Sequence, residues 1–112
     1  MTMTDVYAAR EPARAEIDEM KGAAVIEFGA PWCGHCVRAQ PHLASAVNAH
    51  PAVRHIKIED GSGKPLGRSF RVRLWPTLVL MRDGLEVARL VRPGDAGAIE
   101  EALARIDGLS SS

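Results

Sequence analysis

The pentapeptide Trp32-Cys33-Gly34-His35-Cys36 constrains this chain more than any other segment. It holds the only two cysteines in 112 residues and sits just after a short apolar run. That run, Ala23-Ala24-Val25-Ile26-Glu27-Phe28, reads as a buried strand, and Gly29-Ala30-Pro31 breaks it. Two thiols spaced this way at a strand-to-helix junction can make and break a disulfide, and a helix start helps the first of them to ionise. A structural staple and half of a zinc site are the competing uses. Zinc needs about four ligands, and His35, His42, His50 and His55 supply no second closely spaced pair beside the cysteines.

A chain of this length with 46% hydrophobic residues is expected to form one domain over residues 1–112, frayed at 1–5 and 109–112. Fourteen basic residues balance fourteen acidic ones, which points away from nucleic acid and from an anionic membrane as partners. Arg68, Arg71 and Arg73 cluster, and such a run reads as a solvated face. No stretch reaches membrane-spanning length, and the segment from Met1 to Tyr7 lacks a basic region followed by an apolar one. The cytoplasm is therefore the expected location, although a chain that had lost a signal peptide would begin in the same way. A neutral domain of this kind is expected to be a monomer.

Along the chain, Val6, Ala9, Ala13 and Ile17 have helical spacing, which predicts a helix over 6–20 that Pro12 kinks or starts and Gly22 ends. After the first strand the pattern predicts a helix over 34–50 with Val37, Leu43 and Val47 inward, bent at Pro41. Residues 53–58 alternate as a strand, and 60–65 lead into a short helix through about Phe70. Two strands, 78–81 and 86–91, flank Asp83-Gly84, a strong hairpin signal. A last helix begins at Asp95, a suitable N-cap, and stops at Gly108. Strands alternating with helices imply a parallel pair with a crossover, and the hairpin adds antiparallel strands.

From about Ala23 onward the chain resembles the thioredoxin family. The likeness rests on the WCxxC block opening a helix, on Pro41 five residues after Cys36, on Trp75-Pro76-Thr77 matching the family's xPT segment, and on the Asp83-Gly84 hairpin. It implies an α/β fold of thioredoxin type, a mixed four- to five-stranded sheet flanked by helices on both faces, with the first family strand weak or absent here. It also implies a cis Pro76. Gly34-His35 is the pair typical of disulfide isomerases, where thioredoxins carry Gly-Pro. Arg92-Pro93-Gly94 departs from the glycine that many thioredoxins place directly after the last strand.

The resemblance implies a thiol-disulfide oxidoreductase in which Cys33 attacks and Cys36 resolves. Its substrates are protein disulfides, an NADPH-dependent thioredoxin reductase is a candidate partner, and no cofactor or metal is needed beyond the redox-active Cys33-Cys36 pair. His35 is expected to donate to the Cys33 sulfur or place charge beside it, which raises the potential toward the isomerase end. Glu27 matches the family's buried acid, with Lys57 as its partner. A buried carboxyl tends to keep its proton near neutral pH, and it is expected to act as base and acid for Cys36. Pro76 removes a donor opposite Cys33, leaving Trp75 free to pair with an extended peptide. Trp32, Trp75, Pro76, Thr77 and Gly94 form the expected substrate groove. Two other readings stay open: an oxidase or isomerase of a periplasmic compartment, and a chaperone-type binding module with incidental redox activity.

Overall fold

Strand β1 (Ala23–Gly29) is buried along its whole length. Apolar side chains on both faces of a strand require cover on both. Ala23 and Val25 join one core with Leu78 and Leu80, while Ala24, Ile26 and Phe28 join a second with Val79 and Met81. β2 (Arg54–Glu59) lies parallel to β1, and β3 (Thr77–Arg82) pairs antiparallel on its other side. β4 (Leu85–Val91) completes a mixed sheet of order β2-β1-β3-β4. This computed structural model describes residues 3–108, so the expected fraying at 1, 2 and 109–112 lies outside the described residues.

Two pairs of helices cover the sheet. The 15-residue α2 (Gly34–Asn48) and α4 (Ala96–Ile106) close the first core with Leu43, Val47, Ile99 and Leu103. On the other face, α1 (Arg14–Asp18) and α3 (Pro65–Ser69) supply Ile17 and Leu66, beside Phe70. Each of these large side chains contributes roughly 1.5–3 kcal/mol by leaving water. Cys36, Ala39, Leu43, Ala46 and Val47 form the inward stripe of α2, and Pro41 sits inside that helix as expected. Val37 is a correction: it lies off the stripe and is 58% exposed.

Local chemistry accounts for the ends. Asp83 (φ 52°) and Gly84 (φ 81°) make the left-handed two-residue turn of the hairpin, which few other pairs adopt without strain. A Cβ at position 84 would also collide with the Asp18 carbonyl at the end of α1. Asp95 caps α4 by accepting from Ala98 N at 2.8 Å.

The N-terminal expectation fails. The helix is only Arg14–Asp18, and of the four spaced apolar residues only Ile17 is buried. Pro12 cannot continue a helix interior, and the residues before it find partners along the free edge of β2. Tyr7 forms a parallel bridge with Lys57, and Ala8 N donates to Lys57 O at 2.8 Å. Met3 N and Thr4 N donate to Asn48 Oδ1 (2.9 Å) and His55 Nδ1 (3.0 Å), so residues 3 and 4 are tied down rather than frayed.

Candidate active site

Cys33 is the N-cap of α2. Its sulfur stands where a serine or aspartate oxygen usually does and accepts the N–H of Cys36 at 3.4 Å. Burial opposes ionisation of this thiol, but hydrogen bonds from the Cys36 side chain and from the backbone of Cys36 and His35, with the charge of Arg92, outweigh it. The net result is a pKa below the ordinary 9.0. Cys36, one turn in, is only 1% exposed against 8% for Cys33. Burial first, and then the neighbouring sulfur, push its pKa up to about 12. Both thiols are free, so this is the dithiol state. Gly29 makes the space, because a Cβ there would come within 2.6 Å of the Cys36 sulfur. Alkylation by iodoacetamide is therefore expected to modify Cys33 alone, with an apparent pKa below 9.0 that Arg92→Gln moves upward. Modification of Cys36 at neutral pH would contradict the assignment.

Beneath the thiols lies a buried carboxylate. Glu27 points to the α2 face because positions 23, 25 and 27 of β1 share that side. Register places Lys57 beside it and His55 beside Val25. Lys57 Nζ donates to Glu27 Oε2 at 3.2 Å and to Gln40 Oε1 at 2.9 Å. Gln40 Nε2 donates to Glu27 Oε2 and to the Cys36 carbonyl, both at 2.9 Å. The expected protonated Glu27 is a correction. Burial does raise its pKa, but the His55 hydrogen bond, the Lys57 charge and the Gln40 hydrogen bond together hold it below the ordinary 4.5.

Sequence reasoning missed His55, which enters it only among the histidines set aside as zinc ligands. Its Nε2 lies 2.9 Å from Glu27 Oε1, and its Nδ1 receives the Thr4 N–H. That backbone donor sets the tautomer, leaving the proton on Nε2, where it is donated to Glu27. The available signal was period two, because His55 and Lys57 share one face of β2. Among the described residues, no group of three or more His, Cys, Asp or Glu is placed to hold a metal ion.

His35 also differs from expectation. Its Nδ1 lies 3.2 Å from Arg38 Nη2, three residues on along the same helix face, so the ring pairs with the guanidinium and not with the sulfur. Arg92 foremost, with slight burial and Arg38, lowers its pKa below 6.5, which leaves the ring neutral at pH 7. The positive charge acting on Cys33 is that of Arg92.

Trp75-Pro76 is a cis peptide. Trp75 packs against Cys33, Cys36 and Ala30, holds Asp60 Oδ2 through Nε1 at 2.9 Å, and meets Trp32 edge-on with centroids 5.3 Å apart. Trp32 is 72% exposed, which rules out a core role. The carbonyl of Trp75 is not free, because Arg92 Nε donates to it at 2.8 Å. Thr77 is buried and bonds the Leu74 carbonyl at 2.6 Å, so it fastens the turn instead of facing a substrate. Gly94 lines a cleft with His35, Pro76 and Arg92.

A family model described as Thioredoxin matches residues 6–105. Thioredoxin-3, mitochondrial, of Saccharomyces cerevisiae is 36% identical over 67 residues, 60% of this chain and 53% of the yeast protein. Thioredoxin C-3 of Corynebacterium nephridii is 41% identical over 66 residues, 59% of this chain and 46% of that one. The matched stretch thus spans about half the length of these two curated relatives. The solved structure of thioredoxin 2 from Pseudomonas aeruginosa in its reduced form has a TM-score of 0.82 and 55% identity. That likeness covers 91% of this chain and 94% of the other. With a strand-to-helix CxxC site, a cis proline beside it and a family match over nearly all its length, this chain belongs to the thioredoxin family.

Proposed function

We propose that the protein is a thiol-disulfide oxidoreductase that reduces or exchanges disulfides in protein substrates. The observation that carries this reading is the split between the two thiols: Cys33 eased toward thiolate at the helix start, Cys36 held as thiol with a pKa near 12. The Cys33 thiolate attacks one sulfur of the substrate disulfide, forming a mixed disulfide and releasing the other sulfur as a thiolate. Cys36 then loses its proton and attacks the Cys33 sulfur. The Cys33-Cys36 disulfide forms, the second substrate thiolate leaves, and two electrons have passed to the substrate.

Glu27 is the proposed acceptor of the Cys36 proton, since it is ionised, and Gln40 links it to the Cys36 backbone. A cleft of about 220 Å³ lined by Tyr7, Cys36, Gln40 and Lys57 has room for the water such a transfer needs. An NADPH-dependent thioredoxin reductase is the proposed electron source, and a reducing compartment, the cytoplasm, the proposed location.

The test is turnover of a protein disulfide with dithiothreitol as electron source. Catalysis is expected in the wild type and none above background in Cys33→Ser. A wild type no faster than dithiothreitol alone would remove the reading.

A further inference from the structure

Two clefts adjoin the Trp75-Pro76 peptide. One, of about 390 Å³, is lined by Lys64, Arg68, Arg71, Arg73, Asp60 and Trp75. The other, of about 290 Å³, includes Arg38, Arg92 and Pro76. Six of the fourteen basic residues of a chain without net charge thus line these two clefts, one on each side of the Trp75-Pro76 peptide. Asp60 is the sole carboxylate among the lining residues, and it is committed to the Trp75 indole. Among the described residues none of the six cations forms an ion pair, which is true also of Lys21, Arg54 and Arg105, while Arg10, Arg14, Lys57, Arg82 and Arg89 each face a carboxylate. What sets the six apart is that they line clefts beside the active site. Arg68, Arg71 and Arg73 are exposed, as expected of a solvated face, and that face also lines a cleft.

The backbone adds an independent sign. Apart from Asp83 in its turn, the described non-glycine residues with left-handed φ are Arg71 (59°) and Arg92 (51°), both in this rim. Glycine adopts such angles freely and arginine does not, so side chains kept there at a backbone cost point to use. Arg92 in addition occupies the Trp75 carbonyl, the acceptor that a substrate strand needs in order to pair beside Pro76.

We propose that the two clefts form one docking surface for an acidic segment of the disulfide-bearing protein substrate. The segment's main chain displaces Arg92 from the Trp75 carbonyl. Its Asp or Glu side chains then receive the freed guanidinium and the unpaired cations of the larger cleft. A small free anion could fill one cleft, but an occupant of both that also presents a disulfide to Cys33 has to be a stretch of chain. This inference rests on the oxidoreductase reading.

The test uses one disulfide-linked peptide in three versions, flanked by Asp and Glu, by Ser and Gln, or by Lys, with dithiothreitol as electron source. The kcat/KM for the acidic version is expected to exceed that of the neutral one by about tenfold, the yield of two or three exposed ion pairs, with the Lys version slowest. The preference should shrink in high salt, where a Debye length of about 3 Å at 1 M screens exposed charges. The double variant Arg68→Gln/Arg73→Gln should lower the acidic-to-neutral ratio. Because the ratio is taken within each protein, a general loss of activity cancels. Equal rates on all three peptides, or a preference indifferent to salt, would overturn the docking surface while leaving the oxidoreductase reading intact. Failure to turn over any of them would remove that reading and the surface with it.

Discussion

Cys36→Ser is expected to stop the reaction after its first half and hold the substrate on the protein. In this variant Cys33 keeps its place at the helix start and still attacks, but no thiol lies one turn away to release the adduct. Intramolecular attack works at effective concentrations far above millimolar, so turnover with millimolar external thiol should fall by about a thousandfold or more. Mass spectrometry without reductant should show one substrate disulfide-linked to Cys33 per protein, released by dithiothreitol. Cys33→Ser should form no adduct, because Cys36 is buried and its pKa stands near 12. Continued turnover by Cys36→Ser would mean that Cys36 is not the resolving thiol. In cells, the captured chain would name the physiological substrate, and its charge would bear on the proposed acidic docking surface.

Glu27→Gln should have the second largest effect, and it should act on both stability and rate. The change leaves the Lys57 ammonium, which is 4% exposed, with Gln40 and the Tyr7 ring as partners and without its counter-ion. Removing one member of a buried pair costs about 3 kcal/mol, readable as a drop in urea midpoint. The pH dependence carries a definite sign. Glu27 has a folded pKa below the ordinary 4.5, so between the two values the unfolded chain binds the extra proton. Its contribution is therefore complete above about pH 4.5 and is lost as pH falls through the folded value. The gap between wild type and variant should accordingly narrow on acidification. In rapid mixing, the resolving step should slow by about a hundredfold, the lower end of general-base effects, with mixed-disulfide formation slowed much less. Equal slowing of both steps would reject Glu27 as the base.

These predictions draw on features of unequal visibility in the sequence. The strand before Cys33, the Asp83-Gly84 turn and the Asp95 cap are local, since each depends on neighbours within a few residues. Pro12 is equally visible, and it outweighs the helical spacing of Val6, Ala9 and Ala13, since the helix forms only after it. The free edge of β2 decided that segment, giving Tyr7 and Ala8 backbone partners some fifty residues away.

The active centre divides in the same way. The thiol pair, the cis proline segment and the Glu27-Lys57 pairing could be placed from residues and resemblance. The partner of the His35 ring could not, because Cys33 and Arg38 are both within reach in sequence and only the helix surface selects Arg38. In the sequence Arg92 is only a departure in a loop, yet it reaches back 17 residues to the Trp75 carbonyl and supplies the charge felt by Cys33.

By itself, then, the sequence determined the chemistry of the Trp32-Cys33-Gly34-His35-Cys36 block, because a thiol at a helix start owes its reactivity to adjacent backbone donors. Which face of β1 carries Glu27, that His55 and Thr4 hold it as a carboxylate, and that Arg68, Arg71 and Arg73 wall a cleft were settled only by tertiary structure. The reason is that alternation assigns side chains to two faces, while only sheet register and packing decide what each face meets.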